Sequence, residues 1–326
     1  MSITTDSDIT SYLATLDIIP TTLSQLNGGT ANFAWRIRDS TNRSIIIKHA
    51  EPYIRTNASI PFPTDRMDFE HAALTTLTLP PQPPIDVPIA LPSVYHYSAT
   101  RHVLLMSDGG PRTLKAAYTD PTLDIPALGR SLGTWLASLH ASTKTTTTSV
   151  GDNQTAKSVY RYSYANLASA LASHGFDASL GDEVDADYGR LLQTDDACLC
   201  HGDFWPGNIV LATASTPRPA AMVVDWELVR RGCGATDVGQ FAAEAYLLDR
   251  FCGNRGLCAA FLDAYALAAD ERGALERKWW GREETRGAMT TRKTITTYWF
   301  HHSEPFIAKA HRESHGTVRD IAIDKG

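Results

Sequence analysis

Short apolar runs that alternate with polar residues occupy the first third of the chain, and a three-to-four-residue apolar repeat dominates most of the rest. Ser44-Ile45-Ile46-Ile47-Lys48 is β-branched and of strand length, and Leu23 to Ile47 reads as a hairpin around the glycine-rich turn Asn27-Gly28-Gly29-Thr30. Asp8 to Leu16 predicts a short leading helix. Asp65 to Leu79 predicts another, with Phe69, Ala72, Ala73 and Leu77 at helical spacing. Leu79 to Pro88 carries too many prolines for a helix or a central strand and is expected to be a stiff connector. Two further alternating runs, Ser93 to Tyr97 and His102 to Met106, predict strands that stop at Ser107-Asp108-Gly109-Gly110-Pro111.

Beyond that break the period becomes helical. Leu128, Leu132, Trp135, Leu136 and Leu139 form one stripe, with Pro126 suited to the first turn. Val159 to Ala172, Val238 to Leu248, Leu257 to Ala268 and Thr291 to His301 are expected to be further helices. Among them, Ile209-Val210-Leu211 and Met222-Val223-Val224 predict a short hairpin closed by the polar segment Thr213 to Pro219. The expected fold class is α+β in two lobes. An antiparallel-sheet N-terminal lobe spans 1–106, a hinge spans 107–112, and a larger, mainly helical lobe spans 113–326.

With 326 residues and 43% hydrophobic content the chain can bury a sizeable core. No apolar run approaches the roughly 20 residues of a membrane span, and the start, Met1-Ser2-Ile3-Thr4-Thr5-Asp6, lacks the pattern of a secretory signal. Cysteines are few, odd in number and scattered (198, 200, 233, 252, 258), so a reduced, cytoplasmic protein is expected. Cys198, Cys200 and His201 have no second ligand pair at zinc spacing and read as buried strand residues. A net charge of −6 argues against nucleic acid or an anionic membrane as partner and leaves a small, even cationic, molecule open. Oligomeric state leaves no mark on the sequence.

The chemistry concentrates between Cys200 and Glu227. His201-Gly202-Asp203-Phe204-Trp205-Pro206-Gly207-Asn208 sets an acid and an amide on one loop, and Asp225-Trp226-Glu227 follows the second strand of the hairpin. A hairpin returns Asp225 to the side of Asn208, and in an extended stretch Asp225 and Glu227 share a face. Two carboxylates and an amide so placed suit Mg²⁺. Singly, each also reads as a helix cap or a solvated strand-end charge. Lys48, at the end of its strand, has Glu70 as expected partner on the following helix, with Asp68 competing. Gly28 and Gly29 would let backbone N–H groups approach phosphate, with Asn27, Thr30 and Asn32 beside them. Adenine is expected against the backbone from Met106 to Asp108. Asp237 either caps its helix or braces the loop at His201, and His140 reads as a packed or capping histidine. Arg230 and Arg231 are candidate contacts to the acceptor or the transferring phosphate, with surface positions fitting them equally; Trp205 and Trp299 are candidate acceptor contacts, although C-terminal aromatics such as Trp299 at helical spacing are more often core.

Taken together, Asn27-Gly28-Gly29 through Trp35-Arg36-Ile37, Lys48-His49-Ala50 with Pro52, His201-Gly202-Asp203 with Asn208, and Asp225-Trp226-Glu227 resemble the aminoglycoside phosphotransferase-like kinase superfamily. Within it the chain looks most like the methylthioribose and hydroxytryptamine kinases. The resemblance runs from about Leu23 to Phe251 and implies a protein-kinase-like fold that transfers the γ-phosphate of ATP to a hydroxyl of a small molecule. It implies Asp203 as the base, Asn208, Asp225 and Glu227 as Mg²⁺ ligands, and Lys48 with Glu70 on the ATP phosphates. An indole or amine alcohol is the expected acceptor; methylthioribose, an aminoglycoside or a choline-like alcohol are alternatives, as is a silent nucleotide-binding module. The full Gly-x-Gly-x-x-Gly loop is absent, which argues against protein substrates.

Overall fold

The structure, a computed structural model, describes residues 2–77, 85–144, 150, 152–212 and 221–271. Residues 79–84 of the proline-rich connector, the hairpin turn 213–219, the expected helix 291–301 and Trp279, Trp280 and Trp299 lie outside the described residues.

In the N-terminal lobe α1 (Asp6–Ala14) starts two residues before its expected position. The reason is a capping box: Thr5 Oγ1 accepts from the Asp8 N–H at 3.2 Å, and the Asp8 carboxylate accepts from the Thr5 N–H at 2.9 Å. β1 (Thr22–Leu26), β2 (Phe33–Arg38) and β3 (Ser44–His49) follow, then the small hairpin β4 (Tyr53–Ile54) and β5 (Asn57–Pro61), helix α2 (Arg66–Thr76), and β6 (Ile89–Ala90), β7 (Val94–Ser98) and β8 (Val103–Ser107). An antiparallel sheet runs in the order β1-β2-β3-β8-β7. The alternation of β3 decides what covers each face. Ile45 and Ile47 meet Trp35, Ile37, Ile9 and Leu13 under α1, while Ile46 points to Met67, Leu104 and Met106 beside α2.

The C-terminal lobe contains β9 (Arg112–Thr113), α3 (Leu114–Ala117), α4 (Ile125–Ser142), α5 (Gln154–Ala165), α6 (Leu167–Ser173), α7 (Ser179–Val184) and α8 (Leu191–Thr194). β10 (Cys198–Cys200), β11 (Ile209–Leu211), β12 (Ala221–Val223), β13 (Arg230–Gly232), α9 (Ala235–Cys252) and α10 (Leu257–Glu271) complete it. The whole predicted stripe of α4 is buried, its start capped by Asp124, which accepts from the Ala127 N–H at 2.9 Å. α10 lies so close along α4 that a Cβ at Gly133 would sit 2.3 Å from the Phe261 carbonyl. The helix expected over Val159–Ala172 starts earlier, where Asn153 caps it, and breaks at Asn166. Asp182, Glu183, Asp185 and Asp187 lie on consecutive helical turns, and Asp185 pairs with Arg161.

Two small sheets support the loops between the lobes: β10 with β13, and the order β6-β12-β11-β9. The expected hairpin is β11 with β12, Ile209 opposite Val223.

Candidate active site

Lys48, the penultimate residue of β3, places its side chain between α2 and the segment after β12. Its Nζ donates to Glu70 Oε2 at 2.6 Å and to Asp225, and lies 3.9 Å from Glu227 Oε2. Glu70 is fully buried, and its other oxygen accepts from the Trp226 N–H at 3.3 Å, so α2 is tied to the segment after β12. Asp68 is bonded instead to the Tyr97 hydroxyl. Burial opposes the Lys48 charge, but Asp225, Glu227 and Glu70 outweigh it and hold the ammonium well above the usual lysine range.

The loop after β10 turns at Gly202, whose φ is +85° and whose Cβ, were there one, would stand 1.9 Å from the Leu228 carbonyl oxygen. Asp237, in the first turn of α9, accepts from the N–H groups of His201 at 2.7 Å and Gly202 at 3.0 Å, and bonds His140 Nε2 at 3.2 Å. His201 Nδ1 accepts from the Asp203 N–H at 3.1 Å, so Nε2 carries the proton and donates to the Val224 carbonyl at 3.1 Å. Burial lowers this histidine to about 4, so it is neutral. A 3₁₀ turn at Pro206–Asn208 brings Asn208 back under Asp203, where Nδ2 donates to the Asp203 carbonyl oxygen at 2.9 Å and to Oδ2 at 2.8 Å. Burial, then the charge of Asp225, raise the Asp203 carboxyl to about 7, against the bonds it accepts from Gln240 and Asn208. Gly202→Ala is expected to cost about 1–3 kcal/mol and to lower the melting temperature and turnover together. Calorimetry and an activity assay check this; an unchanged melt would show that the loop relaxes.

Asp225 and Asn208 meet because the Val224 N–H donates to the Asn208 carbonyl at 3.0 Å. The expected extended stretch is not what aligns the two carboxylates. β12 ends at Val223 and Asp225 is left-handed, with φ +69°, so a turn and not strand alternation aims it at Lys48. Trp226 is buried against Trp135 and His201. Glu227 is committed to other partners: Asn32 Nδ2 donates to its Oε2 at 2.5 Å, and Arg66 Nε lies 3.2 Å from the same oxygen. Asn32, expected near phosphate, thus latches the end of its loop to the opposite lobe, while Asn27, Gly28, Gly29 and Thr30 are exposed. A Cβ at Gly28 or Gly29 would meet nothing within 4 Å, so both glycines face open space.

The donors present suit a hard divalent cation. The Asn208 amide nitrogen is committed to Asp203, which leaves its oxygen, and the Asp225 side chain, 33% exposed, is the accessible carboxylate. Among the described residues, the His, Cys, Asp and Glu side chains that lie within metal reach of one another are His140, Cys198 and Cys200. There both imidazole nitrogens are already engaged, by Tyr265 and Asp237, and the Cys198 thiol is pushed up by its bond to Cys200 and by burial.

Met106 lies within β8, paired on both sides, and the Asp108 carboxylate is held by Arg36, Ser44 and the Gly110 N–H. Arg230 is buried, its guanidinium 3.7 Å from the Tyr160 ring centre, and Arg231 pairs with Asp196; neither projects into the Lys48 cluster. Trp205 is half-buried beside Asp203, with Lys115 Nζ 4.7 Å from its ring centre and 3.2 Å from Glu244. Gln240, Tyr160 and Arg66 escaped sequence reasoning. The one signal for Gln240 was its place one turn after Asp237 on the same helix.

The sequence profile of the phosphotransferase enzyme family matches residues 22–281. The chain belongs to this family. It is similar to the 4-hydroxytryptamine kinase of Psilocybe cyanescens, 25% identical over 268 residues, which cover 76% of this chain and 74% of that one. The Psilocybe cubensis 4-hydroxytryptamine kinase is 26% identical over 270 residues, with the same coverage. Among solved structures, the macrolide 2′-phosphotransferase of Brachybacterium faecium superposes with a TM-score of 0.53 at 17% identity, covering 94% of this chain and 95% of that one. An aminoglycoside-3′-phosphotransferase of type VIII gives 0.50 at 16% identity over 87% and 93%. The fold is therefore the kinase-like fold of these phosphotransferases. As a family member the chain is a small-molecule phosphotransferase, ATP-dependent and acting on a hydroxyl. No helix among the described residues is long and apolar enough to cross a membrane.

Proposed function

We propose that this phosphotransferase moves the γ-phosphate of ATP onto the hydroxyl of an amine-bearing aromatic alcohol of the 4-hydroxytryptamine type, with Asp203 as the base. The reading rests on two side-chain pairs from two lobes, Lys48 with Asp225 and Asn208 with Asp203, joined by the Val224 N–H bond to the Asn208 carbonyl. A silent nucleotide-binding module would have no need of a base carboxyl that burial raises to about 7. The acceptor reading rests on the two hydroxytryptamine kinases that match three quarters of the chain.

Lys48, charged and braced by Glu70, contacts the phosphates. Asn208 and Asp225 would hold Mg²⁺, which offsets charge on the phosphate oxygens when bound. Glu227 belongs to this set less directly, because its oxygen serves Asn32 and Arg66. Asp203 orients the acceptor hydroxyl and takes its proton as the oxygen attacks.

With 4-hydroxytryptamine and ATP the protein is expected to form the phosphate ester and ADP. Because the base must be ionised, kcat/KM at low MgATP falls tenfold per pH unit below about 7, the raised value of Asp203, and is level above it. Product analysis by mass spectrometry across pH tests both statements. Turnover of methylthioribose, choline or kanamycin with none of 4-hydroxytryptamine would overturn the acceptor assignment, and a rate level down to pH 5 would show that the Asp203 carboxyl is not held near 7.

A further inference from the structure

We propose that Gln240 is a positioning residue for the base, and that Tyr160, seated on Arg230, fixes which end of the Gln240 amide faces Asp203. The proposal rests on the reading of Asp203 as the base.

The geometry is a chain of four buried side chains. Gln240 Nε2 donates to Asp203 Oδ1, and the Tyr160 hydroxyl donates to Gln240 Oε1 at 2.8 Å. The Tyr160 ring lies against the guanidinium of Arg230, whose Nη2 donates to Thr236 Oγ1 at 2.8 Å, and Thr236 in turn donates to the Cys233 carbonyl at 2.9 Å. Gln240, Arg230, Thr236 and Tyr160 are buried, so the Tyr160–Gln240 and Arg230–Thr236 bonds lie away from water, while the Gln240–Asp203 bond stands at the half-buried edge of the site.

An amide can turn by half a revolution and exchange its oxygen for its NH₂ at almost no steric change. Against a carboxylate the two orientations are opposite in sign: NH₂ attracts, oxygen repels. A hydroxyl donating to Oε1 selects the attractive one. Asn208 donates to the other carboxylate oxygen, Oδ2, so two amides from two elements, the catalytic loop and α9, fix the plane of the base. Both donors favour the ionised carboxylate. Arg230 and Tyr160 thereby act on the reaction from beneath the site.

Gln240→Leu is expected to lower kcat by roughly 10- to 100-fold, the worth of a hydrogen bond to a charged group, with KM for MgATP and for the acceptor unchanged. Tyr160→Phe keeps the ring on Arg230, frees the amide to turn and gives a smaller loss of kcat, again at unchanged KM. Because Tyr160 acts through the amide, the double variant is expected to be no slower than Gln240→Leu alone. Steady-state kinetics with 4-hydroxytryptamine and MgATP, beside a melting curve for each variant, reads these quantities. A fall in kcat at constant KM in both single variants, without further loss in the double variant, supports the proposal. A folded Gln240→Leu with the wild-type kcat overturns it, and so does a Tyr160→Phe with the wild-type kcat should Gln240→Leu fail to fold. If Asp203→Ala itself keeps the wild-type rate, it is the reading of the base that fails.

Discussion

Asp203→Ala is expected to lower kcat by roughly three orders of magnitude, the middle of the range for loss of a general base, while MgATP affinity stays nearly unchanged. The separation follows from the hydrogen bonds. Asp203 engages Gln240 and Asn208 through its two oxygens, whereas Lys48 is held by Glu70 and Asp225, so removing Asp203 leaves the nucleotide-side ion pairs in place. Residual turnover reflects positioning alone. Steady-state kinetics and calorimetric MgATP titration separate the two quantities, and a variant keeping more than a tenth of the wild-type rate would exclude Asp203 from the proton transfer. Stability offers an independent check. Burial raises the folded carboxyl from its model-peptide range near 4 to about 7, so the folded state binds a proton more readily than the unfolded chain. The stability that Asp203 contributes is therefore present below about 4 and is lost as pH rises through about 7. The melting temperature of Asp203→Ala, measured relative to wild type, should accordingly be more favourable at pH 8 than at pH 4.

What could be read in the sequence was whatever is encoded over short separations. Asp203 and Asn208 are five residues apart on one loop, and β11 and β12 form a hairpin, so their meeting with Asp225 is nearly local. Lys48 at a strand end and Glu70 on the next helix were legible because few connections are possible between them. The local pattern failed where the backbone leaves its regular states. Strand alternation put Asp225 and Glu227 on one face, yet a left-handed residue does the aiming, and nothing in Val224-Asp225-Trp226 announces it. Contacts between distant elements were hidden altogether. Asn32 meets Glu227 across 195 positions and Tyr160 meets Gln240 across 80, and neither spacing carries a signature. Arg230 illustrates the same limit from another side. Three residues after Glu227 it reads equally as a substrate contact or a surface arginine, but β13 pairs with β10 and turns it inward beneath Tyr160.

Asp225→Asn is the sharper test of the metal assignment because the backbone tolerates it. Residue 225 sits at φ +69°, a conformation that asparagine adopts readily and alanine does not. Alanine would therefore confound lost ligation with strain, whereas asparagine removes the charge and keeps the shape. Two consequences are expected together. Mg²⁺-dependent ATP affinity falls by roughly 100-fold, in line with loss of a charge-assisted contact of about 3 kcal/mol, while binding of ATP in EDTA changes little. Lys48, which Asp225 helps keep charged, retains Glu70 at 2.6 Å and so stays in place. The Mg²⁺ dependence is the discriminating quantity: a role confined to holding Lys48 would weaken binding equally with and without the ion. Titration calorimetry in both conditions decides between them, and equal losses would move Asp225 from the metal to the lysine.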